Sequence, residues 1–329
     1  MTVGARINKF QFASNIRTKE RTVIQGYEAI RSRLRIPAIA APMFLVSGPD
    51  LVLAACRAGV VGSFPANNAR TIAELDAWMT QIAAEARAMD MPWAINIMVH
   101  RTYERTAEEM ELVLKHKPPI VITALGSPKE IVGAIQGYGG MVFADVNSIS
   151  YARKAADVGV DGLVLVSAGA GGHTGQLSAF AFVPAVREFF KGIIVLGGAI
   201  GSGRAIRAAE TLGADFAYLG TRLIASEESI AHPDYKQMLI DSSADEIILS
   251  ASLTGVPANW LKGSLIAAGY DPGNMGPKAE IGLGRPESEA AKRWRDVWSA
   301  GQGVGAVRMI EKVSTIIDEL ATEYEAVKA

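Results

Sequence analysis

The stretch LVLVSAGAGGHTG, residues 163–175, runs an apolar, β-branched segment into a glycine-rich loop that carries one histidine, His173. Glycines in such a loop let backbone approach a flat or phosphorylated ligand, because no Cβ stands in the way. An imidazole there accepts a proton, or donates a hydrogen bond to an anion, near neutral pH. The bland alternative, a histidine that only ties loop backbone together, is the weaker reading inside a loop of this composition. Two further segments run from apolar residues into glycine: IVLGGAIGSGRAI (194–206) and AYLGTRLIASEES (217–229). Gly197, Gly198, Gly220 and Thr221 are placed to offer amides and a hydroxyl to a phosphate, aided by the start of the helix that follows. Neither segment ends in Gly-Lys-Ser/Thr, and neither lies in a first βα unit, so a Walker loop and a dinucleotide fingerprint are both excluded. IPAIAAPM (36–43) brings Met43 to the end of an apolar run, where a methionine packs on a ring system or simply fills the core. WAINIM (93–98) carries Asn96. A lone amide among apolar residues costs about 1–3 kcal/mol unless it finds partners, so it belongs to a ligand contact or a buried network.

These residues need elements to hold them. From residue 36 the chain alternates short apolar runs with helix-like stretches, the signature of parallel strands joined by crossover helices. Eight runs can be counted: 36–41, 60–64, 93–98, 120–124, 141–145, 162–167, 193–197 and 216–220. Helices are expected over 71–89, 103–116, 148–158 and 202–212, several opening on a Ser or Thr cap, with Gly159 and Gly213 suited to their C-termini. The expected fold is therefore an α/β (β/α)8 barrel. Its active site would lie at the C-terminal ends of the strands, with a phosphate site on the loops after the seventh and eighth. A doubly wound open sheet would show the same local repetition. The expected division is an N-terminal extension (1–35), the barrel (36–225), an inserted helical lid or subdomain (226–303) and a closing C-terminal helix (304–329).

Bulk properties narrow the field. With 49% hydrophobic and 20% charged residues among 329, a large core is expected and disorder is not. Thirty-three basic against 34 acidic side chains leave a formal charge of −1, too little field to attract nucleic acid or anionic lipid. Cys56 is the sole cysteine, so an internal disulfide and a multi-cysteine metal site are excluded and no metal is expected. No run is long and apolar enough for a membrane span, and the first 35 residues lack a secretory core; a cytoplasmic setting is the expectation. Those residues are markedly basic, which reads as a solvated extension or an arm toward a neighbouring subunit, and a homo-oligomer is compatible with that.

Taken together, APM on the first run, IN on the third, AGGHTG on the sixth, the double glycine on the seventh and LGTR followed by ES on the eighth resemble the nitronate monooxygenase family, once called 2-nitropropane dioxygenases. WSAGQGVGAV (298–307) is similar to a segment that in this family returns toward the active site. The resemblance implies flavin mononucleotide (FMN) as cofactor, contacted by Ala41, Met43, Asn96, Gly171 with Gly172, Gly197, Gly198, Tyr218, Leu219, Gly220 and Thr221. It implies a catalytic or substrate-positioning role for His173. At the end of the fifth strand, where some relatives place a lysine or other neutral or cationic residue near the flavin, this chain has Asp145, which would disfavour negative charge on the ring if ionised. The implied activity is FMN-dependent oxidation of alkyl nitronates by O2 to a carbonyl compound and nitrite. The alternative on the same barrel is an NAD(P)H-dependent flavin reductase acting on a quinone or an enoyl thioester.

Overall fold

The computed structural model describes residues 23, 25–279 and 295–327. Eight parallel strands form its centre: β1 (Ala38–Ala40), β2 (Gly62–Pro65), β3 (Trp93–Met98), β4 (Ile120–Ala124), β5 (Met141–Val146), β6 (Gly162–Val166), β8 (Ile193–Gly197) and β9 (Phe216–Leu219). They pair in the order β1-β9-β8-β6-β5-β4-β3-β2. The ring closes between its two ends, because Ile39 bridges Val61 in parallel and Ala40 N donates to Val61 O at 2.8 Å. The barrel reading is thus correct, and the open sheet is not.

Alternation along each strand sorts its side chains into two sets. Ile39, Val61, Ala94, Ile120, Ile122, Phe143, Val164, Ile193, Val195 and Phe216 fill the barrel interior as one cluster. Their neighbours in sequence face the surrounding helices. Because the strands are buried on both sides, they read as continuous apolar runs, and that is why they were legible. Helices Ile72–Ala88, Ile149–Val158 and Gly203–Leu212 begin where expected, their caps Thr71, Ser148 and Ser202 accepting from Glu74 N, Tyr151 N and Ala205 N. Cys56 is buried on the helix Pro49–Arg57, with its thiol pushed up to about 11 by burial.

Three features depart from expectation. Residues 1–22 of the basic extension lie outside the described residues, but 25–34 are not a solvated arm. Ile30 and Leu34 are buried against the interior cluster, and Tyr27 packs on Phe216 with ring centroids 5.4 Å apart, so this segment plugs the barrel floor. The excursion after β9 is not purely helical: β10 (Ile247–Ser250) and β11 (Ala258–Leu261) are antiparallel, and β11 also pairs with β7 (Gly172–His173). The closing helix, Val313–Ala326, begins at 313 and not at 304; Gln302–Ala306 is a 3-10 turn. The segment 280–294, part of the expected lid, lies outside the described residues.

Candidate functional site

The interior alternation continues to the C-terminal ends of the strands and decides which side chains line the barrel mouth. On β3, Asn96 follows Ala94 by two positions; on β5, Asp145 follows Phe143; on β8, Gly197 follows Val195; on β9, Tyr218 follows Phe216. Past β1, Ala41 follows Ile39. All five belong to the inner set, at the end of the barrel where sites of this fold are built. Leu219 is the exception among the expected contacts. Its side chain is fully buried in the helix layer, and its carbonyl accepts from Ala41 N at 2.9 Å.

Three loops and one later segment meet above this wall. Ser167 closes the β6 and β8 ends together, its N and Oγ both donating to Gly197 O at 2.9 and 2.7 Å. Gly198 has φ +127°, and a Cβ on it would collide with Ser167 Oγ. Ala199 N donates to Gly169 O. Gly301 N donates to Thr221 Oγ1 at 2.8 Å and Gln302 N to Gly169 O at 2.9 Å, so residues 300–302 wedge between the loops after β6 and β9. A Cβ on Gly171 would stand 2.7 Å from Gly301 N. Gly171 is therefore glycine first because neighbouring backbone is that close, and Gly198 because of its positive φ and the Ser167 hydroxyl held against it. Gly220 differs: a Cβ there would meet only Met43 Sδ and Ala41 Cβ at 3.8 and 3.9 Å, which places Gly220, Ala41 and Met43 side by side at the β1–β9 seam. Arg222, the last residue of LGTR, is buried and turned away, paired with Glu311 and Glu319; it anchors the later segment and is not available to a phosphate.

His173 owes its position to the excursion. It pairs with Ala258 on β11, the following Thr174 N donates to Pro257 O at 3.0 Å, and Asn259 Nδ2 donates to Ala170 O at 2.8 Å. Gly172, with φ +65°, turns the chain into that short strand. Burial lowers the imidazole to about 4, so His173 is neutral at physiological pH. Asn259 was invisible to sequence reasoning, as was Asn68. The latter side chain accepts from Leu45 N and donates to Met43 O and Ser47 O, fixing the turn that carries Met43. No local pattern marks either asparagine, because their partners lie far away in sequence.

The inner wall holds polar atoms that the fold does not satisfy. Asn96 Nδ2 donates to Ile122 O at 3.3 Å, so part of this amide belongs to a buried network. Asp145 Oδ1 and the Tyr218 hydroxyl are buried with no hydrogen-bond partner. Burial raises the Asp145 carboxyl to about 7. It also raises the Tyr218 phenol well above its usual value, and the Asp145 charge adds to that effect, so the two groups lie within electrostatic reach. Between their strands β8 contributes Gly197, where a Cβ would touch the Tyr218 ring at 3.3 Å; this glycine leaves the ring its room. Unsatisfied buried polar atoms cost free energy unless a ligand completes them. With glycine-lined loops beside them, they suit a flat ligand carrying both donors and acceptors and ending in a phosphate, which is the character of FMN.

Comparison with known proteins agrees with this geometry. The chain is 25% identical over 239 residues to (3aS,4S,5R,7aS)-5-hydroxy-7a-methyl-1-oxo-octahydro-1H-indene-4-carboxyl-CoA dehydrogenase of Rhodococcus jostii, covering 73% of this chain and 66% of that relative, a little under two thirds of its length. It is 26% identical over 293 residues to nitronate monooxygenase of Paraburkholderia phytofirmans, covering 73% of this chain and 77% of that one. A solved nitroalkane oxidase from Streptomyces ansochromogenes superposes with a TM-score of 0.76 at 22% identity, covering 91% of this chain and 98% of that one, a likeness of fold. The sequence pattern of the nitronate monooxygenase family matches residues 101–323, from the loop after β3 through most of the closing helix. That span holds Asp145, the His173 loop, the β8 and β9 glycines and the wedge at 300–302, and by it the chain belongs to the nitronate monooxygenase family.

Proposed function

We propose that the chain is an FMN-dependent enzyme that oxidises alkyl nitronates with dioxygen to a carbonyl compound and nitrite. The observation that carries this reading is the convergence at one barrel mouth of a half-buried neutral histidine, two glycine-lined loops and the unsatisfied polar atoms of Asp145 and Tyr218. Bound FMN would supply the capacity to accept electrons from the nitronate and pass them to dioxygen. The backbone at Gly197, Gly198, Gly220 and Thr221 would hold its phosphate, with no arginine or lysine among these residues. Ala41 and Met43 would pack against the ring, and Asn96, Asp145 and Tyr218 would meet its polar edge. His173, neutral and fixed by β11, would donate to the nitronate oxygens or remove the α-proton of a neutral nitroalkane. The described residues of the 226–303 segment would act as a subdomain over the mouth, since their strand β11 already holds the histidine in place.

A second reading, a flavin enzyme that exchanges electrons between a pyridine nucleotide and a CoA or enoyl thioester, is favoured by one finding: the Rhodococcus relative is named as a CoA-thioester dehydrogenase. The visible spectrum of the purified protein, taken without oxygen before and after addition of an alkyl nitronate, with NADH in a parallel cuvette, separates the two. Bleaching by nitronate but not NADH is the expected result. Bleaching by NADH alone would make the chain a reductase, and a protein that stays colourless after incubation with FMN would end both readings.

A further inference from the structure

Asp145 stands where its chemistry is least comfortable. The side chain projects inward from the end of β5, Oδ1 is buried without a hydrogen-bond partner, and nothing cationic offsets its charge among the described residues. The inner residues of the flanking strands, Ile122 with Ala124 on β4 and Val164 with Val166 on β6, are apolar. The loops after β3 and β4 carry His100 and Lys129, neither of which acts on its charge. Two further titratable groups stand at this mouth: Tyr218, within reach of its charge, and His173 in the loop after β6. Neither supplies a positive charge: the phenol keeps its proton, and burial keeps the imidazole neutral. A site with no fixed cation can still take an anion if its one carboxylate is discharged first, since two like charges at such a depth repel strongly.

We propose that Asp145 is the proton store of this site: it takes a proton from solvent as an anionic ligand, a nitronate or the nitrite product, settles at the barrel mouth, and returns that proton when the anion leaves. The bound state then presents a neutral carboxyl and the Tyr218 hydroxyl, two donors, to the ligands above them. The unpartnered Oδ1 and the unpartnered phenol explain each other on this view, as donors kept for a guest. Anion affinity and proton uptake become one equilibrium, and the sign follows directly. Binding is strongest where Asp145 is already protonated and weakens as pH rises through its pKa near 7. The inference rests on the flavin-and-nitronate reading above.

The test is calorimetric titration of the FMN-loaded protein with nitrite, an anion throughout the range, from about pH 6 to about pH 9 in two buffers of different ionisation enthalpy. The wild type is expected to bind with a Kd that is flat at the acid end and rises about tenfold per pH unit above neutrality, with uptake approaching one proton per nitrite at the alkaline end. In Asp145→Asn, which keeps shape but cannot titrate, the pH dependence and the uptake should both vanish. His173→Gln removes a donor to the anion and should raise Kd at every pH, but the slope of Kd with pH and the proton uptake should both persist, which separates the carboxyl from the imidazole. A flat Kd in the wild type, undetectable nitrite binding at the acid end, uptake that survives in D145N, or uptake lost in H173Q would each overturn the proposal. If D145N does not fold, the infrared difference spectrum of the wild type with and without nitrite decides it: a protonated-carboxyl band should grow in on binding at alkaline pH, and its absence overturns the proposal. A chain that holds no FMN fails the flavin reading itself, whereas a yellow protein with pH-independent binding overturns this inference alone.

Discussion

His173 shows how far a single residue can be read from its neighbours. The glycine loop marked it as functional, yet its neutrality comes from burial and its placement from Ala258 and Asn259, on a strand that no local pattern announces. Replacing His173 with Ala should leave FMN content unchanged and lower nitronate turnover by about 10²–10⁴-fold, as loss of a positioned donor or base does; flavin absorbance and initial rates on the same preparation check this. Asp145 makes a prediction about stability. A carboxyl whose folded pKa lies above its unfolded value binds its proton more tightly when folded, so it costs stability as pH rises, from near the unfolded value up to about 7, and no further beyond. Glu109, also raised to about 7 by burial, acts in the same direction, so the wild-type curve alone does not isolate Asp145. The difference between Asp145→Asn and wild-type apoprotein does. It should grow in favour of the variant from about pH 4 to about pH 7, to on the order of a few kcal/mol, and then level off, as read from denaturant midpoints. Asn68 and Asn259 escaped the sequence because a polar residue that braces a distant backbone looks like any surface asparagine until the chain is folded.

At the scale of elements, the barrel strands were legible because burial on both faces writes them as apolar runs, and the helices because their Ser and Thr caps are local. The strands β7, β10 and β11 were not. Segments of two to four residues (GH, IILS and ANWL) are too short to carry a usable period, and only pairing with one another defines them. The start of the closing helix was misplaced for a related reason. Its first amide, Val313 N, is held by the Glu228 carboxylate at 3.0 Å, a partner 85 positions away. The wedge at 300–302 links these elements to the cofactor loops and can be tested alone. A Cβ on Gly301 would lie 2.6 Å from Gly169 O and 3.0 Å from Gly171 N, both backbone atoms that cannot swing aside. Gly301→Ala should therefore displace the His173 loop and weaken FMN binding by about tenfold or more, while the barrel itself melts within a few degrees of the wild type. Fluorescence titration with FMN and a thermal melt of the apoprotein give the two numbers.

The whole molecule is a ring sealed at several places. Its floor is closed by the segment at 25–34, where Leu34 and Ile30 complete the interior cluster. Leu34→Ala should cost about 2–4 kcal/mol, measured by urea denaturation, because the void it leaves sits under a rigid barrel that collapses poorly around it. Among the described residues no helix is long and apolar enough to cross a membrane. The outer ring of helices is completed by Val313–Ala326, which packs on both Gly203–Leu212 and Pro49–Arg57; there the Glu323 carboxylate accepts from Gly203 N at 2.7 Å. That last arrangement bears on how the protein is made. During translation β1 and β9 emerge, and can meet, long before residues 313–326 leave the ribosome. Until then the apolar faces of the two helices beside the gap stay uncovered. The nascent barrel must wait, nearly complete but unsealed, in the state where a molecular chaperone has most to hold and a premature stop codon does most harm.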